Sequence, residues 1–276
     1  GTLGFVNGTG AAAQFNQPYC ITIDAAGNLY VGDRINHAIR KITAAGVVTT
    51  LAGSGSAGYT NGTGGAAMFN EPLGVAADAA GNVYVADYIN GALRKVTPSG
   101  VVTTLSLIPN IFGVAADAAG NIYVADQNNH RIQYFPKGSK TATTVAGGLG
   151  LGNSTYQLNF PASVFVDNYG NLYIADAGNH RVQKWSNGGS IVRTVAGNGT
   201  PGNDSIRLNN PQAVFVDQRN NLFVADAENH RIMFYDQTRL AGAVAAGNRG
   251  AGTLPFQLNF PSGIFVDGNS NMFIAD

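Results

Sequence analysis

The stretch Gly113-Val-Ala-Ala-Asp-Ala-Ala-Gly-Asn-Ile-Tyr-Val-Ala-Asp-Gln-Asn-Asn-His-Arg-Ile-Gln-Tyr-Phe135 decides the fold. Short segments rich in β-branched and aromatic residues alternate in it with clusters of Asp, Gly and Asn, which is how antiparallel strands and their turns are written. Gly113–Asp117, Asn121–Asp126 and His130–Phe135 read as three strands, and Thr141–Ala146 as a fourth. Its central phrase, an aspartate followed nine residues later by a second, recurs six times: Asp24 to Asp33, Asp78 to Asp87, Asp117 to Asp126, Asp167 to Asp176, Asp217 to Asp226 and Asp267 to Asp276. Successive first aspartates are 54, 39, 50, 50 and 50 residues apart, a period that belongs to stacked or radial repeat architectures.

The first turn of each copy needs a residue at positive φ. Gly27, Gly81, Gly120 and Gly170 supply it, Asn220 tolerates it, and Ser270 must strain or change the turn type. Asp24 and its equivalents start that turn, where a carboxylate bonds backbone N–H groups, and Asp33, Asp87, Asp126, Asp176 and Asp226 are read as doing the same before the second turn. Four strands of this kind cannot bury both faces alone, so the expected fold is all-β, with the copies packed radially as blades.

The Asn-His-Arg-Ile/Val phrases at Asn129–Ile132, Asn179–Val182 and Asn229–Ile232, in step with the period, resemble the NHL repeat; Asn36-His-Ala-Ile and Asn90-Gly-Ala-Leu depart from it. The resemblance implies a six-bladed β-propeller with four antiparallel strands per blade, in a single domain. The blades fall at 15–53, 69–107, 108–147, 159–197, 209–247 and 259–276, the last incomplete with two strands, and residues 1–14 read as an inter-blade linker similar to Gly58–Met68. The first two copies share Arg-Lys-Ile/Val-Thr and Val-Val-Thr-Thr-Leu, and the later ones use His-Arg, so the array has two dialects.

Sixteen basic and sixteen acidic residues cancel, which leaves no broad positive field for nucleic acid. No apolar run reaches the ~18 residues of a membrane span. The chain opens Gly-Thr-Leu-Gly, without a signal-peptide pattern, so an extracellular, secreted location requires a signal outside this sequence. The lone Cys20, within Tyr-Cys-Ile-Thr-Ile, reads as a small buried hydrophobe. His37, His130, His180 and His230 share one slot of the repeat, with Gly91 in that slot of the second copy, which assigns them a structural role beside the turn. Tyr30, Tyr84, Tyr123, Tyr173, Phe223 and Phe273 recur in register as inter-blade core, and Trp185 reads as packing. Nucleophile elbows, Walker loops and paired metal motifs are absent from the sequence, so neither catalytic residues nor a cofactor or metal site is expected.

Five Asn-x-Ser/Thr triplets, at Asn7, Asn61, Asn153, Asn198 and Asn203, lie in linkers between blades and are candidate glycosylation sites. The function expected from this reading is a non-enzymatic extracellular scaffold that presents loops to a protein or glycan ligand. The alternatives are a structural subunit that self-associates through an open sixth blade, and an axial-metal lyase or hydrolase.

Overall fold

A computed structural model describes residues 2–236, 241–247 and 249–276; Gly1 of the expected linker and residues 237–240 of the expected fifth blade lie outside them. Secondary structure among the described residues consists of strands and short 3-10 turns, and no helix there is long and apolar enough to cross a membrane. The chain divides into two compact units, Gly1–Ile122 with Phe135–Thr141, and Tyr123–Tyr134 with Ala142–Asp276.

The first unit holds two five-stranded sheets. One comprises β1 (Gly8–Thr9), β2 (Pro18–Ile23), β3 (Leu29–Asp33), β4 (Ala38–Ile42) and β5 (Val47–Ala52), in the order β1-β5-β4-β3-β2. The other comprises β6 (Gly62–Thr63), β7 (Pro72–Ala77), β8 (Val83–Asp87), β9 (Ala92–Val96) and β10 (Val101–Leu107), in the order β6-β10-β9-β8-β7. The extra strands come from the linkers. Gly8 pairs with Val48 and Gly62 with Val102, so each linker folds back onto the outer strand of the blade that follows it. Residues 2–14 and 58–68 thus behave alike, as their similarity implies, and add a fifth strand to blades expected to have four.

The third sheet, β11 (Ile111–Ala116), β12 (Ile122–Asp126), β13 (Arg131–Phe135) and β14 (Thr143–Gly147), is the one through which the division between the units runs. The second unit continues with β15 (Pro161–Val166), β16 (Leu172–Asp176), β17 (Arg181–Trp185) and β18 (Val192–Ala196), then β19 (Pro211–Val216), β20 (Leu222–Asp226), β21 (Arg231–Tyr235) and β22 (Ala243–Ala246). Each set forms a four-stranded antiparallel sheet in chain order. The sixth copy contributes only β23 (Gly263–Val266) and β24 (Met272–Ala275), paired with each other.

The architecture is therefore an all-β propeller of five blades with four or five strands each, in place of the six expected. A two-stranded ladder lacks the third and fourth strands whose pairing makes a blade.

Alternation within the strands sets the packing. Tyr30, Tyr84, Tyr123, Tyr173 and Phe223 are all buried, and Phe273 is half-buried. In the first unit Tyr30 and Phe69 pack with Val75, Val85 and Val96, and half-buried Cys20 lies against this cluster. Burial pushes the Cys20 thiol up, away from the reactive thiolate. In the second unit Tyr173, Leu208, Val224 and Met233 form the equivalent cluster. Trp185 is buried, and its indole N–H donates to Gln183 Oε1 at 3.0 Å.

The first turn of each copy is closed by its aspartate. Asp24 Oδ1 accepts the N–H groups of Ala26 and Asn28, each at 2.9 Å, and Oδ2 accepts Asn28 Nδ2 and the Tyr30 hydroxyl, also at 2.9 Å. Burial acts to raise this carboxyl, and the donors outweigh it, so its pKa is lowered. Ser270 does not change the turn type: it takes φ +66° and its N–H still bonds the Asp267 carbonyl at 3.0 Å, as Gly27 and Asn220 do with their own aspartates.

Candidate functional site

The second aspartate of each copy is not a turn cap. Asp33 is fully buried and its Oδ1 accepts the backbone N–H of Asn16, seventeen residues upstream, at 2.8 Å. Its Oδ2 takes Asn36 Nδ2 at 2.9 Å and Arg40 Nη1 at 2.8 Å. Asp87, Asp176 and Asp226 repeat the pattern with the N–H groups of Asn70, Asn159 and Asn209 and the amides of Asn90, Asn179 and Asn229. Burial raises the carboxyls of Asp87, Asp176 and Asp226 against the pull of these donors and of the arginines beside them.

The arginine is what the sequence reading missed, and it explains the two dialects. In the first two copies it stands seven residues after the aspartate, as Arg40 and Arg94; in the next three it stands five residues after, as Arg131, Arg181 and Arg231. Positions two apart on a strand share a face, so either register delivers a guanidinium to the same carboxylate. The remaining N–H groups then pin the linker that enters the blade. Arg40 Nη2 donates to the Val6 carbonyl and Asn7 Oδ1, each at 2.9 Å; Arg94 Nη2 donates to the Thr60 carbonyl and Asn61 Oδ1, each at 3.0 Å. Aromatic rings sandwich both guanidinium groups, Phe5 and Phe15 around Arg40, Tyr59 and Phe69 around Arg94, at 5.0 to 5.2 Å. Arg181 and Arg231 hold the carbonyls of Asn153 and Asn203 at 2.9 and 2.6 Å.

The histidines form a second set of ties. His37, His130, His180 and His230 adopt φ between +49° and +53°, the left-handed slot that Gly91 fills in the second copy. Each Nδ1 accepts a backbone N–H from the start of the next copy: Glu71 at 3.1 Å, Phe160 at 3.1 Å, Asn210 at 3.2 Å and Phe260 at 3.1 Å. Those four residues also have positive φ. Burial lowers the pKa of His180, partly offset by Asp226 and Asp176, which keeps its ring in the accepting form.

The third copy is the exception, for a reason visible in its short spacing. Its linker is truncated, so a Cβ on Gly91 would meet Pro109 Cα at 3.0 Å. The position seventeen residues before Asp126 is Pro109 itself, which has no N–H to donate. Arg131 bonds Asp126 at 2.7 Å but no linker carbonyl among its bonds in the described residues, and a third of its side chain stays exposed.

Asn7, Asn61, Asn153, Asn198 and Asn203 are all exposed. Asn7 and Asn61 commit Oδ1 to the buried arginines, whereas Asn198 Oδ1 caps only the nearby N–H of Thr200 at 3.0 Å. Among the described residues no three His, Cys, Asp or Glu side chains converge as a metal site would require. Two cavities lie at first-turn ends of blades. One of about 470 Å³ lies in the first unit, lined by Asp78, Tyr84, Leu105, Lys95, Phe135 and Lys137. Another of about 460 Å³ lies in the second unit, lined by Phe165, Phe215 and Phe265 beneath the turns at Asp167, Asp217 and Asp267. The asparagine amide and N–H donors hold the Asp267 carboxyl below its ordinary range.

The NHL repeat profile matches residues 69–95, 113–135 and 158–185. Over 91 residues the chain is 34% identical to Protein SUPPRESSOR OF QUENCHING 1, chloroplastic, of Arabidopsis thaliana, a match covering 33% of this chain and 9% of that protein. Its fold is similar to an auxiliary nutrient binding protein from Bacteroides thetaiotaomicron, with TM-score 0.75 and 15% identity over 98% of this chain and 69% of that one. It is also similar to virginiamycin B lyase from Staphylococcus aureus, with TM-score 0.62 and 15% identity over 94% of this chain and 77% of the lyase. Three NHL repeats, matched in step with the Asp-Asn-Arg network, are thus carried on the sheets of a β-propeller fold.

Proposed function

We propose that this chain is a non-enzymatic binding module that presents the ends of its blades, outside the cell, to a protein, glycan or small organic ligand. One observation carries the reading. The recurring histidines and aspartates, the residues best suited to acid–base or metal chemistry, are engaged in intramolecular hydrogen bonds, while the cavities at the turn ends stay open. Proteins described as nutrient-binding and as a lyase share this fold, so the site and not the fold supports the choice. A thermal-shift panel of peptides, glycans and small ligands, with mass spectrometry of the recovered ligand, tests it. A raised melting temperature with unchanged ligand is expected, and chemical turnover overturns the reading.

The exposed asparagines suit an extracellular setting, with glycans on linker ends. Intact mass of the chain from a secretory host, before and after glycosidase treatment, should differ by sugar at one or more of the five sites. An unmodified chain rejects that part. A second reading, a subunit that self-assembles, draws on β24, whose outer edge has no strand partner among the described residues. Sizing across concentrations decides it, because a concentration-independent monomer removes self-assembly.

A further inference from the structure

The cavity of the second unit has an aromatic floor that also packs against the core beneath it. Phe165, Phe215 and Phe265 occupy one position of three successive first strands, opposite Tyr173, Phe223 and Phe273 respectively. Their ring centroids follow at 5.2 and 4.9 Å, tilted by 65° and 64°, and every ring is half-buried. In the first unit the same position, opposite Tyr30 and Tyr84, carries Thr22 and Ala76. A row of half-buried rings on the first strands is therefore not a requirement of the repeat, and here the rings line a cavity.

The charges around this floor choose the ligand. Asp167, Asp217 and Asp267 supply three negative charges against the single positive charge of Arg219, a balance of −2. Each carboxylate is already engaged by its own turn: Asp217, for example, accepts Arg219 N at 2.9 Å, Asn221 N at 2.8 Å and Asn221 Nδ2 at 2.8 Å. A carboxylate offers about four lone-pair sites, so three donors leave its charge in place and little capacity to accept more. The site thus favours a cation and gives scant return for N–H groups, a combination met by an ammonium that carries methyl groups. Methyls shed water readily and rest on aromatic rings.

We propose that the Phe165–Phe215–Phe265 cavity binds a small organic cation with a quaternary ammonium head. The proposal rests on the binding-module reading and names the ligand class for one of its cavities. The cavity of the first unit has the opposite balance, with Lys95 and Lys137 against Asp78, and serves as the internal contrast.

Choline and 3,3-dimethylbutan-1-ol, equal in shape and differing in charge, test the assignment by calorimetric titration and by protein NMR at low salt. Choline should saturate one site, with shifts confined to the turns at Asp167, Asp217 and Asp267, and the alcohol should bind at least ~10-fold more weakly. Phe215→Thr installs the residue that the first copy uses and should weaken choline by about tenfold. Arg219→Gln removes the opposing charge and should tighten choline about twofold or more. If Phe215→Thr lowers the melting temperature so far that binding cannot be read, Phe165→Thr takes its place.

Equal affinity for choline and the alcohol, no choline binding, or a folded Phe215→Thr with unaltered affinity each overturn the proposal. A ligand of another class that stabilises the protein in the panel, with choline silent, overturns this inference and leaves the binding-module reading standing; turnover of any ligand overturns the latter by itself.

Discussion

Arg94 tests the linker staple most severely, because its side chain is fully buried and every group it serves is identified. Its Nη1 meets Asp87 Oδ2 at 2.6 Å and the Met68 carbonyl at 3.2 Å, its Nη2 meets the Thr60 carbonyl and Asn61 Oδ1, and Tyr59 and Phe69 cover its faces. Arg94→Met leaves Asp87 buried without its cation, a loss of roughly 3–5 kcal/mol. Removing the ring-stacked charge adds about 1–2 kcal/mol, and the methionine stem recovers part of the packing. The net expectation is about 4–6 kcal/mol, comparable to the whole stability of a small domain at ~5–15 kcal/mol. Arg131→Met also strands a buried carboxylate, that of Asp126, but the guanidinium is a third exposed and has no linker carbonyl among its bonds in the described residues, so the cost should be smaller, about 3 kcal/mol. Urea denaturation followed by far-UV circular dichroism measures both. Asp87→Leu combined with Arg94→Met should recover part of the single-variant loss, since no lone charge then remains buried. A cost below ~1 kcal/mol for Arg94→Met, or a larger cost at Arg131, refutes the staple.

Three further outcomes are expected. The His180 ring accepts a hydrogen bond and its folded pKa lies below the unfolded value near 6.5, so the unfolded chain binds more protons in that window. The contribution of this bond is full above about pH 6.5 and is lost as pH drops below it; comparing urea midpoints at pH 7 and pH 5, the native chain should lose more stability than His180→Ala, and an equal change in both contradicts the assignment. Ser270→Gly relieves a serine held at φ +66° and should raise stability by about 1 kcal/mol, read as a higher melting temperature, with no gain if the turn is drawn wrongly. Gly120→Val places a β-branched residue at φ +87°, with the Lys137 stem 3.3 Å from the new Cβ, and should destabilise by more than ~1 kcal/mol; unchanged melting contradicts the turn assignment.

The chain's own pattern determined everything that lies within one hairpin. The Asp24 and Asp78 turns, the positive φ at Gly27 and Asn220, and the buried Tyr30 and Tyr84 all follow from neighbours a few residues apart, and such local geometry is written directly in the residue order. Tertiary structure alone decided the ties between copies. That Asp33 reaches back to Asn16, that His180 takes the N–H of Asn210 thirty residues on, and that Arg40 and Arg131 serve one purpose from different registers depends on how linkers and blades pack. The switch from Thr22 and Ala76 to Phe165, Phe215 and Phe265 was legible as a change of letters. Its meaning was not, because whether a strand side chain faces core or solvent is set by what the neighbouring sheet covers, and only the packed sheets leave those three rings lining a cavity.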